Sequence, residues 1–204
     1  MQDPRLAALR RRLAARPPDR APRRRPLAFE AGVTVVLRAA AEVELLLIER
    51  VEREGDPWSG HMALPGGRRE PADPDLLATA LRETEEEVGI ALDRERHVLG
   101  GLDEVHPASG RLPELVVAPW VAAVGPEVEA VPDPAEVAAA VWVPLSHLAD
   151  EASLSEVLIE LDTGPLSFPA FRYRDYRIWG LTFRILEQFL ELYRGAELPA
   201  GAAG

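Results

Sequence analysis

Between Gly66 and Ile90 the chain reads GGRREPADPDLLATALRETEEEVGI, a stretch in which a glycine pair precedes Arg82 and the four closely spaced glutamates Glu83, Glu85, Glu86 and Glu87. Helical geometry turns these acids into a site. Asp73 followed by Pro74 is a helix start signal, with the carboxylate capping free N–H groups and proline in the first helical position. Leu77, Leu81, Thr84 and Val88 then share one stripe, read as the core face, while Glu83, Glu86 and Glu87 fall on the opposite side. Gly89 supplies the left-handed position that ends the helix. Carboxylates about 6 Å apart repel by roughly 0.7 to 3 kcal/mol per pair at an effective dielectric between water and protein surface. Arg82 can reach Glu85 or Glu86 along the helix, but one guanidinium does not neutralise four acids. A hard divalent cation with oxygen ligands would, and Mg²⁺ shared between carboxylates and substrate phosphates has that character. The plainer reading of such a run is a solvated acidic face.

The residues upstream favour a site. Met62-Ala63-Leu64 reads as a short strand running into Pro65-Gly66-Gly67, a turn where backbone can approach a ligand closely. A strand, a glycine turn and a glutamate-faced helix can place carbonyl and carboxylate oxygens around one cation.

These residues resemble the Nudix hydrolase signature: Gly, five residues, Glu, seven residues, then Arg-Glu-apolar-any-Glu-Glu-any-Gly-apolar. Gly67, Arg82, Glu83, Glu86, Glu87, Gly89 and Ile90 occupy matching positions. Asp73 stands at the first acidic position, eight residues rather than seven precede Arg82, and Thr84 replaces the usual apolar residue. The resemblance implies a three-layer α/β/α sandwich with a mixed β-sheet, Mg²⁺ or Mn²⁺ as cofactor, and attack of water on phosphorus. It carries over Glu86 and Glu87 as metal ligands, Glu83 as a further ligand or the base that activates water, the Gly67 carbonyl as another ligand, and Arg82 as the group orienting these carboxylates. Some members place an additional acid over the metals, a role that falls here to Glu136 or leaves it a solvated loop acid.

A second resemblance is to the coenzyme A diphosphatase-like branch of that family. Leu46-Leu47, Arg50, then Gly60 and Leu64-Pro65-Gly66-Gly67 follow its upstream motif, with Leu64 where Phe is usual. Arg177-Ile178-Trp179-Gly180-Leu181-Thr182 is similar to the segment leading into the last helix of those enzymes. Several polar or aromatic residues nearby are substrate-contact candidates with structural alternatives. Arg50 and Arg53 could meet phosphate or simply serve solubility, and Trp58 could stack on a base or pack under its loop. His61 could contact phosphate or make a structural hydrogen bond, and His106 sits on a loop at a strand end.

Composition bounds the rest. A chain of 204 residues can bury one good core. With no cysteine there is neither disulfide nor thiolate chemistry, and all 23 basic residues are arginine, which excludes a lysine Schiff base. No apolar run is long enough to cross a bilayer and no signal-peptide core follows the N-terminus, so a cytoplasmic protein without membrane contact is expected. Residues 1–26 carry nine arginines against Asp3 and Asp19, so the remainder holds −18 of the overall −11. This basic arm, with a short amphipathic helix built on Leu6, Leu9 and Leu13, is expected to dock on the acidic body of its own or a partner subunit. It has no aromatic residue for stacking, and nucleic-acid binding is not expected.

The expected organisation is the arm at 1–26, a hydrolase domain at 27–194 and a disordered tail at 195–204. Strands are expected over 31–37, 43–48, 98–102, 115–124 and 137–143, a short helical turn at 146–149, an extended aromatic segment at 168–178 and a helix over 181–193. The apolar run Leu115 to Val124 could serve a core strand or a homodimer interface. Two functional readings stand side by side. One is a divalent-metal-dependent hydrolase of a nucleoside-diphosphate-linked substrate, with coenzyme A, ADP-ribose and dinucleoside polyphosphates as small-molecule candidates. The other is a Nudix module that binds a nucleotide without cleaving it.

Overall fold

The computed structural model describes residues 3–20, 29–53, 59–107, 115–161 and 164–194. Its centre is a mixed sheet. Strand β1 (Phe29–Ala39) runs parallel to β6 (Leu115–Val124) over ten residue pairs, from Phe29↔Leu115 to Arg38↔Val124. β5 (Val98–Gly101) lies antiparallel on the far side of β6, and β2 (Val43–Arg50) returns antiparallel from β1. β7 (Val137–Pro144) extends the sheet beyond β2. Two short strands, β3 (Met62–Ala63) and β4 (Gly66–Arg68), wedge into the gap where β1 and β2 diverge, β3 pairing with β2 and β4 with β1.

Alternation along the strands builds two cores. Val35, Leu37, Leu45 and Leu47 face one side, with α1 (Pro4–Ala15), α3 (Leu145–Ala149) and α4 (Gly180–Arg194) packed over them. Val36, Leu46 and Ile48 face the other, beneath α2 (Leu76–Val88). Helices thus cover both faces, as the α/β/α reading required. Leu6, Leu9 and Leu13 of α1 are buried in the larger core. The chain beyond the helix is tied to the same body by the Arg16–Asp103 ion pair, by Arg20 at 3.8 Å from Glu104 and by the Asp19 amide on the Asp103 carboxylate.

The segment 168–178, expected as one extended piece, is two strands. β9 (Gly164–Tyr173) and β10 (Tyr176–Trp179) are separated by a turn in which Arg174 takes a positive φ of 52°. With β8 (Leu154–Leu161), which the sequence did not suggest, they form a separate three-stranded antiparallel sheet. Among the described residues no helix is long and apolar enough to cross a membrane. The expected tail at 195–204 lies outside the described residues.

Candidate active site

Two glycines facing each other across β1 and β4 make the floor of the site. Gly32 pairs with Gly67, and α2 lies directly on the pair. A Cβ on Gly32 would sit 2.1 Å from the Leu76 carbonyl oxygen, and one on Gly67 would sit 2.4 Å from the Glu83 carboxyl carbon. The absence of two side chains therefore lets the helix descend until its carboxylates touch the turn. Gly66 adopts φ +149°, which L side chains rarely take, and this aims its amide at Glu87. The Gly66 N–H donates to Glu87 Oε2 at 2.8 Å.

The helix start differs from expectation. Asp75, not Asp73, is the N-cap, accepting from the Ala78 amide at 2.8 Å, while Arg94 Nη2 donates to both of its oxygens. Asp73 is instead buried beside the helix. It accepts from Arg82 Nε at 3.1 Å and Nη2 at 3.0 Å, from Thr79 at 2.9 Å and from the Glu70 amide at 2.9 Å. The two-point bond to Arg82 holds the Asp73 carboxyl well below the usual range and raises the guanidinium in turn. Arg82 is the hub of the site: its Nη1 also meets Glu83 at 2.9 Å and Glu86 at 2.8 Å, and Nη2 donates to the Arg68 carbonyl.

Glu87 departs most from the helical-wheel reading. Placed by that reading opposite the core stripe, it is only 2% exposed, turned inward onto the glycine turn, while Leu81 of the expected stripe is half-buried. Desolvation pushes its carboxyl up to about 8, against the pull of the Gly66 amide, with the Glu83 charge adding to the rise. Glu83 is also raised, chiefly by desolvation and against Arg82. Glu136, at the entrance to β7, lies close enough for its charge to act on both acids, and Arg50 acts on Glu87 in the opposite sense.

The structure therefore brings together Arg82, Glu83, Glu86, Glu87, Gly67, Glu136 and Arg50. His61 turns to the Trp179 ring, at 4.8 Å between centroids. Arg53 is held at the edge by the Ala135 carbonyl at 2.6 Å and by Glu136 at 3.7 Å. The His106 carbonyl accepts from Arg184 of α4, and Trp58 lies outside the described residues. Sequence reasoning passed over Thr34, whose buried hydroxyl donates to the Ala80 carbonyl at 3.2 Å and accepts from Thr84 at 3.0 Å. It also passed over Gly32, for which an isolated glycine inside a strand pattern was the available signal.

The donor set suits a hard divalent cation: every group is an oxygen, and desolvation raises both the buried Glu87 and the half-buried Glu83. Among the described residues no three acids or imidazoles converge as a preformed metal nest. Glu86 is engaged by Arg82 at 2.8 Å, and Glu87 is held on the Gly66 amide at 2.8 Å.

A family model described as the NUDIX domain matches residues 28–161, which span β1, the glycine turn, α2 and the strands around them. The chain belongs to the Nudix hydrolases. The human mitochondrial coenzyme A diphosphatase NUDT8 is 35% identical to this Nudix hydrolase over 193 residues, covering 92% of this chain and 74% of the human protein. An uncharacterized protein of Schizosaccharomyces pombe is 44% identical over 107 residues, which are 51% of this chain and 32% of that relative's length. The crystal structure of a MutT/nudix family protein from Enterococcus faecalis shares the fold, with a TM-score of 0.55 at 17% identity over 83% of this chain and 63% of that one.

Proposed function

We propose that this Nudix hydrolase cleaves the diphosphate bond of a nucleoside-diphosphate-linked small molecule with Mg²⁺ or Mn²⁺, and that coenzyme A or a derivative is its substrate. The observation that carries the reading is the pair of desolvated acids, Glu83 and Glu87, on the Gly66–Gly67 turn with Arg82 behind them. A buried acid of raised pKa and a glycine floor open to backbone approach suit an anionic substrate brought in with its cation. The likeness to NUDT8, a coenzyme A diphosphatase 35% identical over most of both chains, favours coenzyme A.

Glu86, Glu87 and the Gly67 carbonyl would hold the metal, which would supply neutralisation of phosphate charge and acidification of water when bound. The chain's own groups do the rest. Arg82, fixed by Asp73, orients Glu83 and Glu86. The Glu83 carboxylate, short of solvent, accepts a proton from the attacking water. Water oxygen bonds to phosphorus, the bridging P–O bond breaks, and the departing phosphate keeps the electron pair. Arg50 and Glu136 bracket the substrate side of Glu87, and the whole operates in the cytoplasm.

The test is product release from coenzyme A, ADP-ribose, NADH and dinucleoside polyphosphates with Mg²⁺ or Mn²⁺, and with chelator as control. Cleavage of coenzyme A into a phosphopantetheine and an adenosine bisphosphate is expected, and Glu86→Gln should lower turnover at least 100-fold with unchanged circular dichroism. Preferential cleavage of another compound would discard coenzyme A. No metal-dependent turnover on any compound would favour the non-catalytic binding module.

A further inference from the structure

One group of aromatic rings is left unused by the chemistry above. His61, just before β3, Trp179 of β10 and Phe168 of β9 form a chain of contacts, His61 to Trp179 at 4.8 Å and 59°, and Phe168 to Trp179 at 5.7 Å and 45°. All three are half-buried rather than enclosed, and the core residues beside them, Met62, Ile178 and Phe171, point away into the larger core. The apolar surface continues outward along the same face of the small sheet. Val157 is paired with Phe168, and Ile159 with Leu166, which is 48% exposed.

The rings stand on the catalytic side of the main sheet. Ala63 packs in the core under α2, and His61, two residues earlier, shares its face by strand alternation. The β2–β3 ladder continues through the Arg50 amide, which donates to the His61 carbonyl at 3.1 Å, while the Arg50 charge is felt by Glu87. Arg50 thus lies between the rings and the acids. From His61 to Gly66 the chain advances five residues, roughly 16 Å at about 3.3 Å per residue if fully extended. A ligand whose diphosphate rests at the glycine turn can extend past Arg50 to the rings.

We propose that His61, Trp179 and Phe168 form a shelf on which the heteroaromatic base of a nucleotide stacks while its phosphates lie toward Arg50 and the glutamates. The proposal deepens the reading of a nucleoside-diphosphate substrate and rests on it. Flat, half-exposed rings bind a base through its π-face, with little demand for a particular hydrogen-bond pattern. The small sheet β8–β9–β10 thereby acquires a role: it carries Phe168 and Trp179 to the rim of a site that the main sheet and α2 build.

The test uses two ligands that contain no diphosphate bond, so that it is independent of turnover. Binding of AMP and of ribose 5-phosphate to the full chain is measured by calorimetry in the presence of Mg²⁺. AMP is expected to bind about 5- to 30-fold more tightly, the contribution of one stacked base. Trp179→Leu should remove that preference and Trp179→Phe should keep most of it. Equal binding of the two ligands by the wild type, or an undiminished preference in Trp179→Leu, overturns the shelf. If Trp179→Leu does not give the wild-type circular dichroism, Phe168→Leu decides on the same criterion. A lack of turnover on every substrate with the AMP preference intact would refute cleavage and leave the shelf standing. Turnover without an AMP preference would do the reverse.

Discussion

Replacing Glu87 with glutamine should make the metal-free protein more stable and the metal response disappear. Glu87 is 2% exposed, and its carboxyl rises from 4.5 to about 8 on folding, mainly through desolvation. A folded pKa above the unfolded one means that the native state holds the proton more tightly, so stability falls as pH rises from the unfolded value through the folded one. At about 1.36 kcal/mol per unit, the cost approaches roughly 5 kcal/mol above pH 8 and is about 3 kcal/mol at pH 7. Glutamine carries no charge, and its carbonyl can still accept from the Gly66 amide now bonded to Glu87 at 2.8 Å. Glu87→Gln in EDTA should therefore melt about 6–18 °C higher than wild type over pH 7 to 8, at about 2–4 °C per kcal/mol for a domain of this size. The gap should close near pH 4.5, where both proteins carry a neutral side chain.

Adding Mg²⁺ reverses the order of stability. A cation that replaces the Glu87 proton binds more tightly as pH rises toward 8, by up to about tenfold per pH unit, and releases that proton on binding. Wild type should gain thermal stability with Mg²⁺, increasingly so from pH 6 to 8, and Glu87→Gln should gain almost none. Differential scanning fluorimetry across pH, with and without metal, reads both effects. A metal-free Glu87→Gln protein that is no more stable than wild type at pH 8 would refute the claim that this acid is buried at a cost and held in readiness for a cation.

Three further outcomes follow from other contacts. Asp73→Asn should cost about 1–3 kcal/mol at neutral pH in urea unfolding by breaking the two-point bond to Arg82. Because the folded Asp73 pKa is depressed, the stabilisation is present above the unfolded value of 3.8 and lost as pH falls through the folded one, so the variant's stability should change less below pH 4. Thr34→Val and Thr84→Val should each destabilise by about 0.5–1.5 kcal/mol by removing their mutual hydrogen bond, the remaining hydroxyl still donating to the Ala80 carbonyl, and the double variant should cost less than the two together. Leu9→Ala in α1 should cost about 2–5 kcal/mol, since Leu9 is 0% exposed; a change below about 0.5 kcal/mol would mean the N-terminal helix contributes no core.

Much of this was legible because local pattern and tertiary placement agree. The apolar run Leu115 to Val124 reads as a strand in isolation and is β6 to the residue, since a strand buried on both faces needs no alternation. Gly89 ends α2 with φ 67°, a demand made by the backbone alone. The misses arise where a side chain's partner comes from elsewhere in the chain. Asp73-Pro74 and Asp75 both satisfy the rules for a helix start, and the choice is made by Arg82 and Thr79, which engage Asp73 from within the helix and leave Asp75 to cap. β8 carries Leu154, Val157, Leu158 and Ile159, a spacing that suits a helix face as readily as a strand. Its strand character comes from pairing along the whole of β9.

The inward turn of Glu87 shows most clearly why such a site is only half written in the local sequence. On a helical wheel Glu87 sits next to Val88, about 100° away, so it lies on the boundary between core and solvent. Which way it goes depends on how closely the helix approaches the sheet. That distance is set by Gly32 and Gly67, 35 residues apart in the chain and paired across β1 and β4. With a Cβ at Gly32, the Leu76 carbonyl oxygen would have to move from 2.1 Å, the helix would lift, and water could reach the glutamates from below. The perturbed acidity that fits this site for a cation is thus a consequence of missing side chains on the opposite strands as much as of the glutamates themselves.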